Sequence, residues 1–87
     1  MTPTELKTLF QKLPDVETPF VTVEGSSPHL FATILSSSFV GLDEAVRQER
    51  VWSFLIKERP EDADEVEFIF TNAPGEQGEE LQGTAAE

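Results

Sequence analysis

The chain has 87 residues with 17 acidic and only six basic side chains, a formal charge of -11, and no cysteine. That balance argues against general binding to a phosphate backbone, whose affinity comes from Lys and Arg displacing counterions, and against an anionic membrane surface. The missing thiols exclude disulfides and thiolate chemistry, and the length suits one small domain with little stability to spare.

Thr2-Pro3-Thr4-Glu5 reads as a helix start: Thr2 caps, Pro3 suits the first helical position, and Glu5 completes a capping box. Leu6, Leu9, Phe10 and Leu13 then make one apolar stripe, and Pro14 ends the helix. Phe20-Val21-Thr22-Val23-Glu24 has the composition of a strand. Gly25-Ser26-Ser27-Pro28 is a turn-rich link to a second strand over Leu30 to Leu35, and the two form a hairpin.

The second helix is predicted from Leu42 to about Glu58. Leu42, Ala45, Val51, Trp52, Leu55 and Ile56 share one half of its circumference. Val46 and Phe54 fall off that half, which leaves two readings open: a kinked helix, or a helix covered on a second side. Pro60 and the acidic cluster around it break the helix. Val66, Phe68 and Phe70 then alternate with Glu67, Ile69 and Thr71 in a third strand. Beyond Pro74, residues 75–87 are polar and acidic and cannot bury apolar area to offset ordering entropy, so a disordered tail is expected after a domain of residues 1–74.

This order, α-β-β-α-β, implies an α+β fold in which helices lie against a three-stranded mixed sheet, a two-layer α/β sandwich. No apolar run reaches the roughly 20 residues that span a bilayer, and the N-terminus has no basic segment leading into an apolar one. A cytoplasmic protein is expected.

Several constellations invite a chemical reading. His29 is the sole histidine, and a lone imidazole rarely holds a metal, so a turn histidine with one local hydrogen bond is the plainer account. Arg47, Arg50 and Lys57 form a basic stripe suited to an acidic partner or to phosphate. Asp43 and Glu44 stand at ion-pairing distance from Arg47 along the helix, which favours an ordinary solvated face. Ser36-Ser37-Ser38 lacks a base arranged beside it, as a serine nucleophile requires, and reads as a strand end and turn. Glu61, Asp62, Asp64 and Glu65 lack the spacing of a calcium loop. Gly75-Glu76-Gln77-Gly78 matches the backbone clamp of KH domains, but in an acidic tail instead of between two helices.

Together, His29, Ser36, Phe39 and Gly41, followed by Arg47, Val51 and Leu55, resemble the BolA-like family. Its motif is a histidine-led strand ending in Ser, a Phe-x-Gly turn, an Arg-His pair and an apolar helix. The resemblance runs from about Leu6 to Pro74 and implies a class II KH-like fold. Two departures stand out. Gln48 occupies the place of the histidine after Arg47, and the family's histidine in the third strand falls on Glu65 or Val66.

In that family the strand histidine, with a Cys or His between the first two strands, is associated with a 2Fe–2S cluster shared with a monothiol glutaredoxin. The resemblance therefore implies a protein-binding adaptor with no catalysis and no cofactor of its own. Its partner would be a monothiol glutaredoxin in iron–sulfur or redox homeostasis. The contact would be formed by His29, Arg47, Arg50 and Glu65, with His29 as the remaining metal ligand of any shared cluster. The competing class is a KH-like nucleic-acid-binding transcriptional regulator, against which the charge argues. A monomer or a weak homodimer burying Phe54 is expected.

Overall fold

A computed structural model of the chain describes residues 1–75. The elements are α1 (Pro3–Phe10), β1 (Phe20–Ser26), β2 (His29–Leu35), α2 (Glu44–Glu58) and β3 (Val66–Asn72), with short 3-10 turns at Ser37–Phe39 and Ala63–Glu65. The α-β-β-α-β order is the one expected. The sheet runs β1-β2-β3, with β1 and β2 antiparallel and β2 and β3 parallel, so it is mixed. The tail expected to be disordered lies, apart from Gly75, outside the described residues.

The capping box forms: the Glu5 amide donates to Thr2 Oγ1 at 3.1 Å and the Thr2 amide donates to Glu5 Oε1 at 2.8 Å. This satisfies donors that a helix start leaves orphaned. The helix stops at Phe10, short of Leu13. Pro14 disfavours the helical conformation at Leu13, so the chain tightens first, with Lys12 and Leu13 donating back to the Leu9 and Phe10 carbonyls at 3.0 and 3.2 Å. Leu13 is buried all the same.

In the hairpin, β1 extends through Gly25 and Ser26, which the sequence assigns to the link, and only Ser27 and Pro28 separate the strands. Gly25 permits this. Its φ is +87°, and a side-chain carbon there would run into the His29 carbonyl of the facing strand.

A β-bulge sets the phase of β3. Leu30 pairs with Val66, but the next residue, Phe31, pairs with Phe68, which leaves Glu67 as the extra residue. Val66, Ile69 and Thr71 consequently face the helices, and Phe68 and Phe70 face away. The strict alternation written in the sequence would instead group Val66 with Phe68 and Phe70.

Both helices cover one side of the sheet, α1 against β1 and β2, and α2 against β3. Leu6, Phe10, Leu30, Ile34, Phe39, Val51 and Leu55 are wholly buried between the layers. The buried positions of α2 are Arg47, Val51 and Leu55, spaced four apart. Phe54 and Trp52 pack against the core from either side of that line. Phe54 is thus partly covered within the monomer, on a helix that runs without interruption from Glu44 to Glu58. Ile56, expected on the buried half, is 54% exposed.

Candidate partner-binding site

His29 opens β2 directly opposite Ser26, at the end of the sheet where the hairpin meets the start of β3. Its ring is largely exposed, and Nδ1 contacts the Glu67 carboxylate, a partner delivered by the bulge. Glu65 lies two residues earlier, in the 3-10 turn before β3. Its Oε1 accepts from the Met1 amino group and from Ser27 Oγ, both at 2.7 Å.

Those two bonds hold the Glu65 carboxyl below its ordinary range, the amino group contributing most and Ser27 next. The same contact raises the Met1 amino group, against the opposing effect of its desolvation. Ser27 therefore ties the hairpin tip to the entry of β3, and His29 and Glu65 converge on one end of the molecule. Neither Glu65 nor Val66 is the residue that faces His29: Val66 is buried, Glu65 is turned toward Met1 and Ser27, and Glu67 is the neighbour. Only the bulge reveals that placement.

Arg47 does not join them. Expected on an exposed basic stripe, it is 5% exposed. Its Nε donates to the Leu42 carbonyl at 2.9 Å and its Nη1 to the Thr71 carbonyl at 3.1 Å. The guanidinium also stands over the Phe39 ring, 5.7 Å from the centroid. Thr71 is near the far end of β3, roughly 13 Å along the strand from Glu67 at a strand's rise per residue. Arg50 stays on the exposed face of α2. The stripe is reduced to Arg50 and Lys57.

Gln48, the second departure, is also structural. Its Nε2 donates to the Ile69 carbonyl at 2.7 Å and to Glu44 at 2.9 Å, and its Oε1 accepts from Trp52 Nε1 at 3.0 Å. Ile69 and Thr71 are alternate residues of β3, so their carbonyls point the same way, out of the edge not paired with β2. Arg47 and Gln48 satisfy these two outward carbonyls, and the Thr71 hydroxyl donates to Glu44 at 2.9 Å. Thus α2 closes an edge that would otherwise be free to pair with another strand.

The serines serve the backbone in the same manner. Ser36 is buried and donates to the Glu17 carbonyl at 2.8 Å while accepting from the Ser38 amide, and Ser38 Oγ accepts from the Glu17 amide at 2.9 Å. They hold the loop before β1 against the end of β2.

The donor set at the hairpin end does not fit the two-ligand share of an iron–sulfur cluster that the family resemblance implies. It offers one imidazole and two carboxylates, the Glu65 carboxylate being already engaged. Among the described residues no three His, Cys, Asp or Glu side chains are grouped so as to hold a metal ion. Soft cluster iron favours thiolate, with imidazole as the usual replacement.

The fold has a counterpart among solved structures. The crystal structure of a Bol-like protein from Babesia bovis superposes with a TM-score of 0.60 at 19% sequence identity, covering 93% of this chain and 94% of that one. The chain therefore has the BolA-like fold, a class II KH-like arrangement. No family model matches the sequence and no curated protein matches it. No helix among the described residues is long and apolar enough to cross a membrane.

Proposed function

We propose that this chain is a divergent BolA-like adaptor that acts in the cytoplasm by binding another protein, and that its first partner is a monothiol glutaredoxin. The observation that carries this reading is the convergence, on a BolA-like fold, of the hairpin and the start of β3, which presents His29 and Glu67 on an exposed end. An acidic protein is suited to a partner whose contacting surface is basic. The chain contributes contact without cluster ligation of its own, and it performs no catalysis.

The burial of Arg47 bears on the nucleic-acid alternative. It takes one of three cations out of the stripe that a phosphate backbone would need.

The test is titration of isotope-labelled full-length protein with cluster-loaded monothiol glutaredoxin, followed by amide shifts and visible absorption. Shifts centred on Ser27, His29 and Glu67, with the glutaredoxin's own cluster spectrum unchanged, are the expected result. Unmoved resonances at the hairpin end would sink the glutaredoxin reading. A cluster spectrum that changes on mixing and reverts with His29→Ala would show that the chain does supply a ligand.

A further inference from the structure

We propose that the open face of the sheet, the side away from the helices, is a docking surface for a protein segment in which arginine or lysine stands among apolar side chains. This surface adjoins the hairpin end assigned to the glutaredoxin contact and meets it at Glu67.

Three observations carry it. Phe20, Phe68 and Phe70 are 65%, 56% and 52% exposed, although they belong to strands whose other face is sealed. Phe31, Phe68 and Phe70 form one row, with ring centroids 6.0 and 6.2 Å apart and near-parallel planes. Single exposed apolar residues are ordinary on a protein surface, but a contiguous row of this kind marks an interaction site.

The third observation is the sign of the charge. All six Lys and Arg of the chain, residues 7, 12, 47, 50, 57 and 59, lie on the helices or immediately after them, and none lies on a strand. The strands carry two carboxylates, Glu24 and Glu67. Glu24 pairs in register with Phe31, so its side chain shares the open face with that ring, and Glu67 sits in the bulge next to Phe68.

An aromatic row bordered by carboxylates matches a guanidinium or ammonium group: the cation stacks on a ring face and is neutralised at the rim, while neighbouring apolar groups cover the remaining rings. A second copy docked by the same face fits poorly, because it would bring the same two carboxylates and no cation. Single-stranded nucleic acid stacks on such rows, but it also needs a positive groove along its backbone, and the strands that form this face carry no Lys or Arg.

The experiment is a selection from a random-peptide display library on immobilised full-length protein, in parallel with the double variant Phe68→Ser, Phe70→Ser. Peptides that bind the former and not the latter are expected to share Arg or Lys interspersed with apolar residues. A synthetic peptide of that consensus should shift the amides of Thr22, Thr33, Phe68 and Phe70. Its affinity should fall about tenfold in each of Phe68→Ser and Phe70→Ser, and several-fold in Glu24→Lys and Glu67→Lys, with the loss shrinking as salt rises.

Circular dichroism and thermal unfolding establish that each variant is folded. If the double variant is not, the comparison rests on the two charge variants. Failure to enrich any peptide that discriminates overturns the proposal, and so does a consensus that is acidic or uncharged. Sedimentation of the wild type but not the variant as a dimer would assign the face to a second copy, and shifts of these amides by oligothymidine alone would assign it to nucleic acid. Because the glutaredoxin contact is read at Ser27 and His29 and this one at Thr22, Thr33 and Phe70, with Glu67 shared, either reading can fail while the other stands.

Discussion

The two faces of this sheet are made from the same three strands and treat large side chains in opposite ways. On the helix side, Leu30, Ala32, Ile34 and Ile69 are shut away from water beneath α1 and α2. On the other side, four residues further from the hairpin tip than Glu24 and across to β3, Phe20, Phe68 and Phe70 stand more than half exposed. Hydrophobic content therefore does not by itself say which face is the core. Position relative to the helices and the phase of each strand decide it, and in β3 that phase depends on the single extra residue at Glu67.

The sharpest way to break this comparison is to shorten adjacent residues of β3 that point in opposite directions. Ile69→Ala should cost about 3 to 4 kcal/mol, because it removes buried methyl groups and leaves a cavity between the layers. Phe70→Ala removes a larger side chain but should cost only about 1 kcal/mol, since the lost area was already half in water. Urea titration of the two variants gives the ordering directly. A costlier Phe70→Ala would mean that the open face is covered in solution.

Next in size is the polar seam by which α2 closes the edge of β3. Arg47→Ala should cost about 3 kcal/mol, because it leaves the Leu42 and Thr71 carbonyls without their charged donor. Arg47→Lys should recover only part of this, since an ammonium cannot reproduce the fork that reaches both carbonyls. Arg50→Ala, three residues along the same helix but facing water, should change stability by less than about 0.5 kcal/mol. Denaturant midpoints of the three variants test whether the basic residues of α2 form one stripe or two unlike environments. Gln48→Ala should fall between them, at about 1.5 kcal/mol, for the unpaired Ile69 carbonyl.

Much of the fold was legible in the sequence because its signals are local. Thr2, Pro3 and Glu5 announce a helix start, and the composition of β1 and β2 announces the strands. The turn residues Gly25 to Pro28 identify a hairpin, although they place its tip two residues too broadly. The site was less legible because its placement depends on long-range register. That Glu67, and not Glu65 or Val66, meets His29 follows from a bulge that no alternation pattern displays. That Arg47 is buried follows from outward carbonyls on β3, a demand invisible on a helical wheel that treats every arginine as solvated. The clue available in advance was the position of Arg47 itself, four residues before Val51 and eight before Leu55, on the line those two residues bury.

His29 lies at the margin between the two faces, and its contribution to stability should be correspondingly slight. The contact with Glu67 joins two well-solvated side chains, so His29→Ala should lower stability by less than about 0.5 kcal/mol. This makes it a clean variant for the glutaredoxin titration, where a change in binding can be read without a change in fold. A loss comparable to that of Gln48→Ala would instead place the hairpin end among the structural parts of the molecule.

The smallest expected effect is the pH dependence of the clamp formed by Met1, Ser27 and Glu65. The Glu65 carboxyl is held below its ordinary value of 4.5, so the folded state binds its proton less readily than the unfolded chain does. Its contribution is present above that value and is lost as the pH falls below it toward the folded-state value. The Met1 amino group is raised above its ordinary 8.0, so its contribution is complete below that pH and is lost as the pH climbs through the raised value. The clamp is therefore at full strength between these limits and weakens on both sides. Glu65→Gln should flatten both limbs of a plot of urea midpoint against pH, because it removes the carboxylate and, with it, the partner that raises the amino group. Blocking the amino group should remove the clamp's share of the alkaline limb but leave part of its share of the acid limb, since Ser27 still donates to Glu65. Equal flattening by both changes would mean that Ser27 contributes nothing, and that the hairpin tip is held at β3 by its backbone register alone.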